Sequence, residues 1–232
     1  MARDGTADMT NYLSVADSAG VGPDITGTAF SAHLWCNLDT NNASRTFFGK
    51  RGTPAAANTI QYELRHNSSG VLFCAIGDSS SFDQATGSGA ITTGAWHPIG
   101  MRKDGTGAAS LIPFRDGAPS GAGVTSTRSI QHRGDPLFVD TNSTTIENGV
   151  DGKLAELAVW DVALSDAEFA ALASGVSPLS IRRDHLRGYW PLMGVALATE
   201  ADLSGQGRHL SQTGSLALVN HAPVGRFSAM PK

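Results

Sequence analysis

The sequence predicts an all-β fold, a sandwich of two antiparallel sheets with one or two short helices, and three observations carry that expectation. The 27 glycines are spread along the 232 residues among Asn, Asp, Ser and Thr, so turn chemistry recurs at short intervals. Between those turns lie runs in which apolar residues alternate with period two. Helical spacing with proper start and stop signals is confined to one stretch near residue 165. Hydrophobic residues make up 41% and charged residues 16% of the chain, enough apolar material for a sizeable core and too little charge for disorder.

Taken in order, residues 11–15 (NYLSV) read as a first strand, followed by a loop through Gly20, Gly22 and Pro23. Residues 30–38 (FSAHLWCNL) give the clearest strand. Phe30, Ala32, Leu34, Cys36 and Leu38 share one face and belong in the core, while His33, Trp35 and Asn37 face the other way. Further strands are expected at 45–50, 60–66, 71–77, 96–102, 110–115, 136–140 and 153–160. Asn67-Ser68-Ser69-Gly70 and Asp116-Gly117 mark hairpin turns. Ser165-Asp166-Ala167-Glu168 has the form of a capping box. Phe169, Leu172 and Ala173 follow at helical spacing, and Gly175 and Pro178 end that helix. A second helical turn is expected between Pro178 and Leu186. Many strands with so little helix exclude βαβ units. Residues 1–219 are expected to form a single domain and 220–232 (NHAPVGRFSAMPK) an extended tail, because two prolines and a glycine there forbid a regular helix or central strand.

Several function classes drop out on composition. A formal net charge of −4, with no basic run longer than Arg182-Arg183, leaves no footprint for nucleic acid or an anionic membrane. No stretch approaches the roughly 20 apolar residues of a spanning helix, and Met1-Ala2-Arg3-Asp4-Gly5 opens no signal sequence, so synthesis in the cytoplasm is expected. Cys36 and Cys74 fall on strand alternations and are expected as reduced core thiols. No Gly-x-Ser-x-Gly elbow sets up a nucleophile, and Gly205-x-Gly207 neither follows a strand nor opens a helix, so it is no phosphate cradle.

The segment Gly152 to Glu168 (GKLAELAVWDVALSDAE) resembles the most recognisable stretch of laminin-G-like jelly rolls of the concanavalin A-like lectin/glucanase superfamily, with its glycine, acidic strand, aromatic, Ala-Leu-Ser and capped helix. Trp96-His97-Pro98-Ile99-Gly100 and Phe114-Arg115-Asp116-Gly117 are similar to the family's Trp-containing strand and later hairpin turn. Three further segments, Gly188-Tyr189-Trp190-Pro191-Leu192, Asp202-Leu203-Ser204-Gly205-Gln206-Gly207 and His221-Ala222-Pro223-Val224-Gly225, resemble the tail of laminin-G-like proteins from tailed phages and phage-derived bacterial genes.

That resemblance implies a jelly-roll sandwich acting without catalysis as a virion component, a head decoration or tail-associated protein assembled on a particle with other virion proteins or further copies of itself. The alternative it implies is a carbohydrate-binding module for host surface glycans. A polysaccharide hydrolase is the remote third reading. The glucanases of the superfamily place Glu-x-Asp-x-x-Glu on one strand face, and that motif is absent here: Glu156 and Asp161 differ by an odd number.

Candidate sites follow. Trp35 with His33 and Asn37 makes a sugar platform if their face is open, or a covered aromatic if loops or the C-terminal segment lie over it. Trp96, Trp160 and Trp190 are expected in the core. No cofactor is required, and calcium is the one to look for, with Asp151 and Asp202 as candidate ligands. The usual acidic pair of the family strand is here Ala155-Glu156, one carboxylate fewer. In the tail, Val224, Phe227 and Met230 are the apolar anchors for docking on the sandwich or on a neighbouring subunit.

Overall fold

The structure is a computed structural model, and it describes residues 2–6, 10–17, 23, 25–52, 59–141, 149–194 and 198–224. Its strands are β1 (Ala2–Thr6), β2 (Tyr12–Val15), β3 (Ala29–Leu38), β4 (Arg45–Arg51), β5 (Ile60–His66), β6 (Val71–Gly77), β7 (Phe82–Ala90) and β8 (His97–Asp104). They continue as β9 (Leu111–Arg115), β10 (Ala118–Pro119), β11 (Leu137–Val139), β12 (Asp151–Trp160), β13 (Leu186–Trp190), β14 (Thr199–Glu200), β15 (Leu210–Thr213) and β16 (Ala217–Val219). Helix α1 (Asp166–Ala173) and two 3-10 turns, Pro178–Ser180 and Arg183–His185, lie between β12 and β13. Among the described residues there are two antiparallel sheets of eight strands. The first runs β10-β9-β8-β3-β12-β1-β16 with β13 also on β12, and the second runs β14-β15-β2-β11-β4-β5-β6-β7.

The expected alternation of β3 places Phe30, Ala32, Leu34, Cys36 and Leu38 in the core between the sheets, where they meet Tyr62, Leu64, Cys74, Ile76 and Val139. Cys36 and Cys74 are free and buried there, and burial pushes both thiols up. At the open edge Arg3 of the first sheet closes on the second. Its Nε donates to Glu200 Oε1 at 2.5 Å and its Nη1 to Gln212 Oε1 at 2.6 Å.

Strand β12 has more neighbours than a strand normally has. Residues Asp151 to Leu154 pair with β1 and residues Leu157 to Trp160 with β13, while β3 runs along the other side. A bulge between Ala155 and Ala158 makes the changeover. Glu156 sits in it at φ +59°, and its N–H donates to Pro191 O at 3.2 Å instead of to a strand. Four residues earlier Gly152 has no alternative: a Cβ there would meet Asn37 O at 2.4 Å and Leu38 Cα at 2.7 Å on β3.

The outer face of the first sheet is covered in two patches. Over β8, β9 and β12, α1 buries Phe169 and Leu172 on Phe114, Trp160 and Leu186. The Phe114 and Phe169 rings stack at 3.8 Å and 12°, over Gly100, where a Cβ would meet Phe169 Cε1 at 2.8 Å. The capping box is formed: Ser165 Oγ accepts from Glu168 N at 3.3 Å, and Glu168 Oε2 accepts from Ser165 N at 2.8 Å. Over β3 and β12, the C-terminal segment lays Val219, Ala222 and Val224 against Trp35 and Ala155. Between the patches, Glu156 accepts from Tyr189 Oη at 2.5 Å and pairs with His221 Nε2 at 3.1 Å. Burial alone would lower the His221 ring, but Glu156 and the carbonyls of Ala222 and Pro191 together hold it above its ordinary value. Beside them His33 is buried without a well-formed hydrogen bond on either ring nitrogen, and burial pushes it down to about 3.

Strands β1, β7, β10, β13, β14, β15 and β16 were not among those expected from alternation. Strand β7 (FDQATGSGA) carries two glycines and buries only Ala85 fully, so it has no apolar period to read. The rest are short, at two to five residues, and most of their pairing is with segments distant in the chain. Among the described residues no helix is long and apolar enough to cross a membrane.

Two outcomes are expected. Phe169→Ala removes one partner of a stacked, fully buried pair and lowers the unfolding free energy by about 3–5 kcal/mol in urea titrations. The two histidines act with opposite sign. His221, raised, contributes stability that is complete below about pH 6.5 and fades as the pH rises through its folded value; His33, lowered to about 3, contributes stability that is complete above pH 6.5 and fades on acidification. Unfolding free energy against pH should therefore crest near 6.5. In NMR titration the His33 ring should stay neutral from pH 8 down to 5, while His221→Gln should flatten the alkaline limb.

Candidate functional site

With the first sheet closed over, the open broad face is the outer side of the second. One row of directly paired residues crosses it, Ser211, Ser14, Phe138, Gly49, Glu63, Ala75 and Gln84. Ser211 and Gln84 at its ends are exposed, whereas Phe138, Gly49, Glu63 and Ala75 in the middle are buried, so the row runs as a trough of buried residues between exposed ends.

Two arginines close over Glu63. Arg51 Nη1 lies 3.4 Å from Glu63 Oε2 and Arg65 Nε 3.5 Å from Oε1, with side chains 10% and 19% exposed. Arg65 lies flat on Phe73, its Cζ 4.1 Å from the ring centroid. At the far wall Tyr12 meets Phe138 edge-on at 5.5 Å. Glu63 thus lies between two guanidinium groups, with aromatic rings beside them. At the end of the trough Gln61 donates through Nε2 to Arg133 O at 3.0 Å. The Gln61 carbonyl oxygen and Arg51 Nε are both buried without a hydrogen-bond partner.

The sequence-predicted residues fall elsewhere. Trp35 is 5% and His33 2% exposed under Val219, Ala222 and Val224, and Asn37 is half-buried. The open platform expected at these three residues is thus corrected: the chain's own C-terminal segment occupies the face on which a sugar would stack. Trp160 and Trp190 are fully buried, and Trp96 packs half-buried on the Trp35 group. Val224 docks on this same group; Phe227 and Met230 lie outside the described residues.

Asp151 and Asp202 are not brought together. Asp202 accepts from the backbone N–H groups of Tyr189, Ser204 and Arg208 at 3.1, 2.9 and 2.9 Å, which organises its glycine-rich turn. Asp151 Oδ2 accepts from Thr40 Oγ1 at 2.8 Å. Beside it, burial raises the Asp4 carboxyl, Lys153 opposes that, and the charges of Asp39 and Asp151 add to it. Among the described residues no group of three or more His, Cys, Asp or Glu side chains is arranged to hold a metal. The two carboxylates thus lie in separate turns, each with hydrogen-bond partners of its own.

One constellation with catalytic order was not legible in the sequence. His97 hydrogen-bonds Thr92 Oγ1 through Nε2 at 2.7 Å and Asp116 Oδ1 through Nδ1 at 2.8 Å. Asp116 is 50% exposed on the β9–β10 turn and also faces Arg115 at 3.6 Å. A relay needs a buried carboxylate to fix the imidazole, so this trio serves to pin the turn. The trough residues Arg51, Gln61, Glu63, Arg65 and Phe73 were missed as a site for a simpler reason. Their signal was the polar alternation Gln61, Glu63, Arg65 against Tyr62, Leu64, which reads equally well as a solvated face.

Comparison with solved structures shows the fold. A candidate carbohydrate-binding protein from Bacteroides ovatus superposes with TM-score 0.69 at 19% identity, covering 97% of this chain and 61% of that one; the chain thus spans under two thirds of that protein. The carbohydrate-binding module CBM40 of a Ruminococcus gnavus IT-sialidase, bound to α2,3-sialyllactose, gives TM-score 0.55 at 9% identity over 75% of this chain and 98% of that one. Domains LG4-5 of the mouse laminin α1 chain give 0.53 at 10% identity over 72% and 43%. Comparison with curated proteins finds no match. The family model described as the concanavalin A-like lectin/glucanases superfamily matches residues 5–170, the stretch that holds β2 to β12 and the start of α1. The chain belongs to the concanavalin A-like lectin/glucanases superfamily.

Proposed function

We propose that the chain is a non-catalytic carbohydrate-binding module that takes its glycan in the trough on the outer face of the second sheet. The outer face of the second sheet carries the reading: a row with exposed ends, Ser211 and Gln84, beside which Tyr12, Phe73 and Phe138 bring aromatic rings and Arg51 and Arg65, each part-exposed, bring guanidinium groups. The CBM40 likeness supports it at the level of a shared scaffold. Catalysis is left out because the glucanase carboxylate spacing is missing and Glu156 is committed to Tyr189 and His221 under the C-terminal segment.

A particle-borne placement, with the sandwich displayed on a virion, is proposed on the sequence resemblance of the C-terminal segments; absence of the protein from purified particles in mass spectrometry would sink it. For the binding itself, a glycan array followed by calorimetry on the best ligand is the test. Phe73→Ala should weaken that ligand roughly two- to tenfold, in line with the loss of one aromatic contact, while Trp35→Ala should leave the affinity of the folded protein unchanged. An array with no bound glycan would overturn the proposal.

A further inference from the structure

We propose that residues 220–224 form a latch over the first sheet, fastened by the His221–Glu156 ion pair, and that loss of the His221 proton opens it and bares Trp35 while the sandwich stays folded. The latch is lightly attached. Strand β16 ends at Val219, paired with Ala2. Beyond it, among the described residues, the segment makes no backbone hydrogen bond to either sheet; its one backbone bond is internal, from Val224 N to Ala222 O at 2.8 Å. Its apolar hold is the small pair Ala222 and Val224, set on the group of Trp35, Ala155 and Trp96. None of residues 220–224 enters the core between the sheets. Few apolar contacts and no ladder are the conditions for opening a segment locally, ahead of global unfolding.

His221 supplies the polar hold, and its geometry calls for a charged ring. Nε2 lies 3.1 Å from Glu156 Oε1 and 3.2 Å from Pro191 O, and Nδ1 lies 3.1 Å from Ala222 O. Both ring nitrogens thus face oxygen acceptors, which only the imidazolium can serve with two donors. Burial works against that charge, and Glu156 with the carbonyls of Ala222 and Pro191 outweighs it, so the ring titrates above its ordinary value. The sign follows: the hold is complete at low pH and fades as the pH rises through the folded value. The neighbours keep their charge state meanwhile. Tyr189 of β13, which donates to Glu156, is pushed up by its burial and by that carboxylate, and His33 of β3 is pushed down to about 3 by burial. Once His221 is neutral, Glu156, 4% exposed, is left as a buried carboxylate without its cation, which favours letting water in. The face then bared, Trp35 with Trp96 beside it, is aromatic surface that the closed chain withholds.

The test places a thiol under the latch in the full chain as Ala222→Cys, at a position 5% exposed. Alkylation by iodoacetamide is followed site by site by mass spectrometry from about pH 6 to about pH 9, a range in which a histidine changes charge. Each rate is divided by that of the unfolded chain at the same pH, which cancels the thiolate chemistry. Cys36 and Cys74, both 0% exposed, report global unfolding. Residue 222 should be labelled while Cys36 and Cys74 stay free, with a normalised rate that climbs with pH. His221→Gln should raise that rate about tenfold at the acid end, the scale of one charge-assisted hydrogen bond, and flatten the climb. Acrylamide quenching of Trp35, read as the difference between the unaltered chain and Trp35→Phe, should grow over the same range and decides the matter if Ala222→Cys itself loosens the segment. Labelling of residue 222 only together with Cys36 and Cys74 would make the segment an integral part of the fold and overturn the latch. Local labelling that ignores both pH and His221→Gln would overturn the ion pair as its fastening.

Discussion

The bulge in β12 is the constraint on which the rest of this sandwich depends. A regular strand offers two edges, yet this one must receive β3, β1 and β13, and it does so by changing partner halfway along. Inserting one residue turns Ala155 and Glu156 to the same outer side and returns Leu157 to the core. The left-handed backbone of Glu156 is a local cost, offset where its N–H finds Pro191 O and its carboxylate finds Tyr189 and His221. Those contacts fasten the C-terminal segment to the first sheet.

That fastening decides which face is free to function. Helix α1 and the C-terminal segment together close the outer side of the first sheet, burying Trp35, Trp160 and Phe169. Among the described residues no helix lies over the second sheet, and its buried middle is charged, with Glu63 between two guanidinium groups. A carboxylate at such a depth is tolerable because opposite charges lie on both sides of it. Structure and electrostatics thus single out one side of the molecule.

Much of this was legible in the sequence wherever one face of a strand is apolar. The alternation of residues 30–38 located both the core side and the side of His33, Trp35 and Asn37, and Ser165 with Glu168 marked the helix start. What covers Trp35 was open in the sequence, because the answer depends on where Ala222 and Val224 fold back, nearly two hundred residues away in the chain. The trough was hidden for a related reason. Arg51, Glu63 and Phe73 lie on three different strands, and each alone looks like an ordinary outward-facing residue. Only strand register brings them close on one face. Strand β7 was invisible because its glycines and serines satisfy a sheet edge without burying a face.

The neighbouring positions of β1 and β16 have a geometric consequence. Ala2 pairs with Val219, so the chain enters and leaves the described sandwich at one corner of the first sheet, and the segment beyond Val219 runs on over that sheet's outer side to Val224. The described ends, Ala2 and Val224, therefore lie on the closed side of the sandwich, and the sheet that carries Glu63 is turned away from both.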